Sequence, residues 1–188
     1  MFKALFTSLA VAALTVSAYA GDIEKKTVKV DQSSVTWKGK KVTGAHEGTI
    51  AIQSGSLDFE NGTLVGGEFV IDMTTIAVTD LTGDMAGKLK GHLMSDDFFG
   101  VENHPTATLV FTTVDKTAEG YKITGNLTIK ETTKPISFMA TIDGSAATAD
   151  ITVDRTEYNV KYGSGKFFDG LGDKMIYDNF DLSVSLAY

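Results

Sequence analysis

The sequence predicts an all-β fold: an antiparallel sheet whose apolar face is buried in a sandwich or a closed barrel, interrupted by one short helical insertion at about residues 84–99. Three observations carry that expectation. Most of the chain alternates apolar and polar residues with period two, the mark of strands with one wet face. Gly and Asn or Asp pairs (Asn61-Gly62, Gly66-Gly67, Asp143-Gly144) punctuate the runs as turns do. One segment changes period: in LTGDMAGKLKGHLM, Met85, Leu89 and Leu93 recur at helical spacing.

In chain order, residues 1–20 read as a cleaved secretory signal peptide. Lys3 precedes an apolar run from Ala4 to about Val16, and Ala18-Tyr19-Ala20 supplies a small-x-small cleavage pattern. The run is short for a bilayer span. Residues 21–188 are therefore expected as one exported domain, with no linker, repeat or low-complexity block inside it. Strands are expected at Val28–Val30, Ser34–Val42, His46–Gln53, Ser56–Phe59 and Thr63–Met73. A helix follows near 84–94, with Thr82 or Asp84 as its cap and Gly87 and Gly91 weakening it. Ser95 opens a second turn, where Asp96 and Asp97 suit the positive end of a helix dipole. Further strands are expected at Ala107–Val114, in GYKITGNLTIK, in ISFMATID, at Ala149–Asp154 and around Phe180–Leu186. The clearest is GYKITGNLTIK, with Tyr121, Ile123, Leu127 and Ile129 on one face and Lys122, Thr124, Asn126 and Thr128 on the other. Pro135 is expected at a strand entry, where a missing N–H costs least.

A barrel of about eight strands is just wide enough for side chains or one small ligand. In such a barrel the helical insertion lies across a mouth. Phe98 and Phe99 turn into the apolar interior, and Asp96 and Asp97 stay in water.

Composition excludes several functions. The chain carries 17 Lys and Arg against 24 Asp and Glu, a net charge of −7, which argues against nucleic acid and against anionic membrane surfaces. It has no cysteine, hence no disulfide and no lipid attachment through that residue. There is no GxSxG elbow, and His46, His92 and His104 lack metal-ligand spacing. Asp96-Asp97, and Asp80 with Asp84, read as caps and loop solvation rather than as general acids. GSGKFFDGLGD, residues 163–173, lacks the GxxxxGK[ST] order and reads as a loop. Its Phe167-Phe168 pair reads either as packing over the core ends or as an apolar gate at a ligand mouth. Asp154-Arg155 reads either as an ion pair at the rim or as a polar anchor for a ligand head group. Two other classes stay open. One is a small outer-membrane β-barrel, because alternation does not say which face is outside. The other is a lipid-modifying enzyme using Asp154, Arg155 or a histidine.

The order of motifs resembles the YceI-like family. WKGKKVTGAHEGTI, GGEFVIDMTTI, KLKGHLMSDDFFGVENHPTATLVF, YKITGNLTIKETTKPISF and TVDRTEYNVKYGSGKFFDGLGDKMIYDNFDLSVSL follow one another across residues 28–187. HL-x-S-x-DFF and GNLTI-x-x-x-TKP are the most specific of these. The resemblance implies an antiparallel, eight-stranded, extended lipocalin-like barrel. It implies a long apolar tunnel holding a polyisoprenoid lipid, an isoprenoid quinone or a polyprenyl chain, in a periplasmic protein without catalysis, cofactor or metal. The expected partner is that lipid; nucleic acid and stable membrane insertion are not expected, and the state is monomer or homodimer. Strand parity then assigns the lining to Trp37, Phe69, Ile71, Leu109, Phe111, Ile123, Leu127, Phe138, Val153 and Leu182. Phe98, Phe99, Phe167 and Phe168 are assigned to the entrance, and Asp154 and Arg155 to the head group.

Overall fold

The structure is a computed structural model and describes residues 21–188; the expected signal peptide, residues 1–20, lies outside the described residues. The strands are β1 (Ile23–Thr27), β2 (Ser34–Lys41), β3 (Gly44–Glu60), β4 (Thr63–Val78), β5 (Thr106–Thr117), β6 (Gly120–Ile129), β7 (Thr132–Asp143), β8 (Ala146–Asp154) and β9 (Ile176–Ala187). One helix, α1 (Gly83–Met94), lies between β4 and β5, and short 3-10 turns occupy Val30–Gln32, Arg155–Tyr158 and Gly172–Lys174. All pairings are antiparallel. The sheet order β3-β2-β9-β8-β7-β6-β5-β4 returns through a β3–β4 pairing, which closes eight strands into a barrel and leaves β1 as an added strand on β3.

Alternation decides which face is inside. In β6, Tyr121, Ile123, Gly125, Leu127 and Ile129 are buried, while Lys122 and Asn126 are exposed. In β7, Ile136, Phe138, Ala140 and Ile142 turn inward and Thr133, Lys134, Ser137 and Thr141 face water. The barrel is thus apolar within and polar without. An outer-membrane barrel carries the reverse arrangement, with an apolar lipid-facing band, so that alternative does not fit the structure.

Three elements differ from the sequence expectation. Residues 46–59 form one long strand, β3, rather than two. A register shift between Ile52 and Ser54 absorbs the local bend. Gly55 keeps the strand intact by leaving room for Phe69, since an added Cβ would stand 2.6 Å from the Phe69 ring. Val28–Val30 is not a strand. The length of β3 beyond its β2 partner needs covering, and β1 covers it, Ile23 opposite Glu60 and Thr27 opposite Ser56. Val28 instead packs in the core and donates its N–H to the Gly55 carbonyl at 2.9 Å. Pro135 lies inside β7, opposite Asn126, not at its entry.

The upper part of β4 bulges. In its ladder with β3, Thr49 pairs Ala77 and Ala51 pairs Asp72, so residues 73–76 project past the strand they adjoin. The Thr75 hydroxyl fastens the bulge by accepting the Ala51 N–H at 2.8 Å and donating to the Asp72 carbonyl at 2.7 Å. Such bulges re-aim side chains and bend strands at barrel rims. Here the bulge buries Met73 and Ile76 and leads the chain into α1. Thr82 is the helix N-cap, without a side-chain hydrogen bond. Leu93 is buried, whereas Met85 is 61% exposed, so only the later turns of α1 are anchored. The turn after it is held by N–H groups of Phe98 and Gly100 to the Ser95 carbonyl (3.0 and 2.8 Å) and of Phe99 to the Leu93 carbonyl (3.2 Å). Those bonds point both phenylalanines into the barrel end, 7% and 9% exposed, while Asp96 and Asp97 remain at the surface.

Candidate ligand-binding cavity

The inward faces of the barrel do not meet. Leu109, Phe111, Phe138, Leu182 and Val184 point to the interior yet are only partly buried, because they border a hollow of about 200 Å³. Along β9 its wall runs from Ile176 to Leu186, roughly 33 Å of strand at ~3.3 Å per residue before tilt shortens it. Two apolar clusters flank the hollow. One is built around Leu57, Leu64, Tyr121, Ile123 and Leu186. The other comprises Met73, Ile76, Leu93, Phe98, Phe99, Leu127, Ile129 and their neighbours under α1. Ile50, Ile71, Leu109, Phe138, Ala149, Leu182 and Val184 pack on both. The space is therefore long, narrow and greasy, a shape for an extended chain rather than a compact solute.

Most of the sequence-assigned residues stand on this wall: Trp37, Phe69, Ile71, Leu109, Phe111, Ile123, Leu127, Phe138 and Leu182 from the strands, with Phe98, Phe99 and Arg155 at the α1 end. Four do not. Val153 faces inward at 1% exposure but is packed in the apolar cluster that also holds Tyr158 and Val160, away from the hollow. Asp154 lies on the outer surface of the rim, where its carboxylate takes hydrogen bonds from Lys166 Nζ (2.7 Å) and from the Thr156 N–H and hydroxyl (2.9 and 2.6 Å). Phe167 and Phe168 are 47% and 50% exposed on the loop before β9 and do not line the cavity. That loop turns outward through N–H bonds of both phenylalanines to the Ser164 carbonyl at 3.1 Å. Conversely, parity assigned too few residues: Ile50, Ile52, Ile136, Ile142, Phe180, Val184 and Leu186 also border the hollow. Most of these share the inward parity already visible in their strands; Ile50 and Ile52 depend on β3 being continuous.

Arg155 is the one charged side chain on the wall among the described residues. It is 2% exposed and holds the chain around it, with Nε donating to the Tyr177 carbonyl (3.2 Å) and its two terminal nitrogens to the Val160 (2.8 Å) and Ile176 (3.1 Å) carbonyls. The guanidinium sits 5.5 Å from the centre of the Phe98 ring. Burial lowers its basicity, which the carboxylates of Asp178 and Asp154 partly restore. A guanidinium has five N–H donors, and three carbonyls do not exhaust them. Asp178 Oδ1 is 3.7 Å away, and that buried oxygen accepts no hydrogen bond from the described residues. Tyr158, 1% exposed, likewise keeps a hydroxyl without a partner, and burial pushes it up to about 12. For Asp154, burial alone would raise the carboxyl, but the Lys166 and Thr156 hydrogen bonds outweigh it and hold it below the usual carboxylate range. The expected Asp154–Arg155 pair is therefore split: Asp154 serves Lys166, and Arg155 serves the barrel end.

The histidines do not converge. His46 Nδ1 is 2.8 Å from Asp80 Oδ2 at the foot of the β4 bulge. His92, on α1, is wedged between the rings of Phe98 (5.4 Å) and Tyr162 (4.4 Å). Its Nε2 is buried with no partner among the described residues. Burial lowers its pKa, and the Arg155 charge does so further against an opposing pull from Asp97. Among the described residues no group of three or more His, Cys, Asp or Glu side chains is placed to hold a metal ion, and no helix is long and apolar enough to cross a membrane.

Comparison with known proteins places this geometry. The family described as the YceI-like domain matches residues 27–188. A UPF0312 protein of Pseudomonas putida is 30% identical over 153 residues, covering 77% of this chain and 75% of that protein. A UPF0312 protein of Pectobacterium carotovorum is 47% identical over 53 residues, a match spanning only 28% of either chain. Among solved structures, BcnA of Burkholderia cenocepacia superposes with a TM-score of 0.64 at 21% identity, over 86% of this chain and 99% of that one. A polyisoprenoid binding domain from Saccharophagus degradans implicated in plant cell wall breakdown gives 0.57 at 13% identity, over 85% and 95%. At such identities these two structures share the fold.

Proposed function

The chain belongs to the YceI-like domain family, and from that premise we propose that it is a periplasmic binding protein that holds a polyisoprenoid lipid, an isoprenoid quinone or a polyprenyl chain, along the barrel axis. One observation carries the reading: a long apolar hollow open to an extended chain, with a single buried cation, Arg155, at one end. The solved polyisoprenoid binding domain of the same fold supports it. Each prenyl CH₂ moved from water into such a space contributes roughly 0.8 kcal/mol. Several isoprene units therefore offset the entropy of ordering the chain and the ligand. At the Arg155 end, the guanidinium donors left over from the carbonyls offer a hydrogen bond to a head-group oxygen, a quinone carbonyl or a phosphate. The chemistry is retention rather than turnover. The wall presents no nucleophile beside a base: its ionisable groups are Arg155, which does not give up its proton, and the Tyr177 phenol, with no His, Asp, Glu or Lys among the lining residues.

The test is direct. The mature protein, purified and extracted with organic solvent, should release a prenyl lipid identifiable by mass spectrometry. Ala149, at mid-barrel and on the wall, offers the control. Ala149→Trp should keep the fold, at an overpacking cost of about 1–3 kcal/mol, and lose the lipid. A folded wild-type protein that neither co-purifies with nor takes up such a lipid would sink the reading.

A further inference from the structure

The outward Phe167-Phe168 pair has no role in the cavity, and its surroundings are unusual. Four aromatic side chains stand among the large exposed apolar residues of the described chain: Tyr162, Phe167, Phe168 and Tyr177, each 47–50% exposed. All lie in one stretch of 16 residues, the connection from β8 into β9. The rest of the barrel surface has none. The stretch is fixed at the barrel end that carries α1: Tyr162 contacts His92 at 4.4 Å, the Ile176 N–H bonds the Gly163 carbonyl at 2.8 Å, and Arg155 holds the Ile176 and Tyr177 carbonyls. Tyr177 also borders the hollow itself. The aromatic cluster therefore rims the cavity end marked by Arg155.

Its chemistry is that of a lipid–water boundary. Phenylalanines insert among acyl chains, and tyrosines prefer the head-group level. Lysines accompany them. Lys161 Nζ stands 5.0 Å over the Phe167 ring, Lys174 lies on the same loop, and Lys88 and Lys90 are exposed on the neighbouring α1. Carboxylates balance them, Asp169 and Asp173 on the loop and Asp84, Asp96 and Asp97 around α1, so the aromatic rings and not an excess of charge carry the attraction to a lipid surface. The opposite end of the barrel, with its turns at Asn61-Gly62, Ala118-Glu119 and Asp143-Gly144, has no such rim.

We propose that the β8–β9 loop, led by Phe167 and Phe168, is a reversible docking surface for a phospholipid bilayer, held by insertion of the aromatic rings, which sets the cavity mouth on the membrane. It rests on the lipid-binding reading for its purpose, though not for its measurement. Docking removes the need for a prenyl chain to cross water on its way into or out of the barrel.

Vesicle flotation tests it, with the mature chain and vesicles of phosphatidylcholine. Wild-type protein should float with the vesicles, and F167S/F168S should bind about tenfold more weakly or worse, given the apolar area withdrawn. Val110→Ser, which removes an equally exposed apolar side chain from β5, should bind as wild type does. Phe168→Trp should retain binding, and its emission should shift to the blue on vesicles. Uptake of a prenyl lipid supplied from dilute detergent should be the same in F167S/F168S as in wild type, so loss of docking and loss of the cavity function read out separately. Wild-type protein that stays with the soluble fraction, or a double variant that floats undiminished, overturns the proposal. So does a double variant that instead dissolves a dimer seen by size exclusion, because the loop would then serve a second copy of the chain.

Discussion

Arg155 concentrates the residue-scale physics of this protein. A guanidinium at 2% exposure is costly unless its donors are used, and three backbone carbonyls use them. Arg155→Met should destabilise the fold by about 2–4 kcal/mol in urea titrations, because the Val160, Ile176 and Tyr177 carbonyls lose their donor. Arg155→Lys should recover little, since one ammonium cannot span three diverging acceptors. His92 sets a second expectation. Burial depresses its pKa, so below about 6.5, the ordinary value for His, the unfolded chain takes up a proton that the folded chain resists. Stability should therefore be fully present above about 6.5 and fall as the pH drops toward the lowered folded value. His92→Phe should flatten that slope while leaving the Lys166–Asp154 contribution, which belongs to more acid conditions, in place. The dipeptide Asp154-Arg155 shows what sequence withholds at this scale. It announced a charge of each sign at a strand end, but Arg155 is partnered by carbonyls from residues 160, 176 and 177, whose positions exist only after β9 returns beside β8.

At the scale of elements, period-two strands with strong contrast were legible almost to the residue, β6 above all. What defeated the pattern was glycine used for room rather than for turning. Gly55 and Gly67 sit inside β3 and β4 because the Phe69 and Phe111 rings occupy the space a Cβ would need, so a Ser-Gly step that reads as a break is a packing accommodation. Gly48 is the strictest case. A Cβ there would run into the Ala77 carbonyl and the Trp37 ring, while Trp37 Nε1 donates to that same carbonyl at 3.1 Å. Gly48→Ala should cost about 2–4 kcal/mol through this overpacking. It should also alter the fluorescence of Trp37, the single tryptophan of the chain, as its hydrogen bond breaks. β1 was missed for a different reason: IEKKT has no alternation, and only the uncovered length of β3 calls it into the sheet. The Phe98-Phe99 and Phe167-Phe168 pairs were indistinguishable by composition. Their opposite fates follow from the carbonyls that their backbones bind, Ser95 and Leu93 under α1 and Ser164 on the open loop.

For the whole molecule, an apolar interior inside a polar shell makes lipid content part of the stability ledger. A ligand held only by the folded state adds RT ln(1 + [L]/Kd), about 2.7 kcal/mol at a hundredfold excess over Kd. For a chain of this size that should raise the melting temperature by about 5–10 °C on reloading a delipidated sample, measured by calorimetry. The hollow itself was foreseeable in kind from the family resemblance, the one-faced strands giving only an apolar interior. Its dimensions were not, because the gap left between inward side chains depends on their packing, not on their order.

The closing seam has a consequence in time. β2 and β9 join Ser34 to Ser185 and Trp37 to Leu182, so neighbours in the finished wall are separated by nearly the full polypeptide. Until residues 176–185 have been synthesised, the growing chain can form hairpins but no cylinder. Loop closure over such distances is slow. A nascent chain of this design stays open along one seam throughout its synthesis, and the cylinder locks only when its last strand arrives.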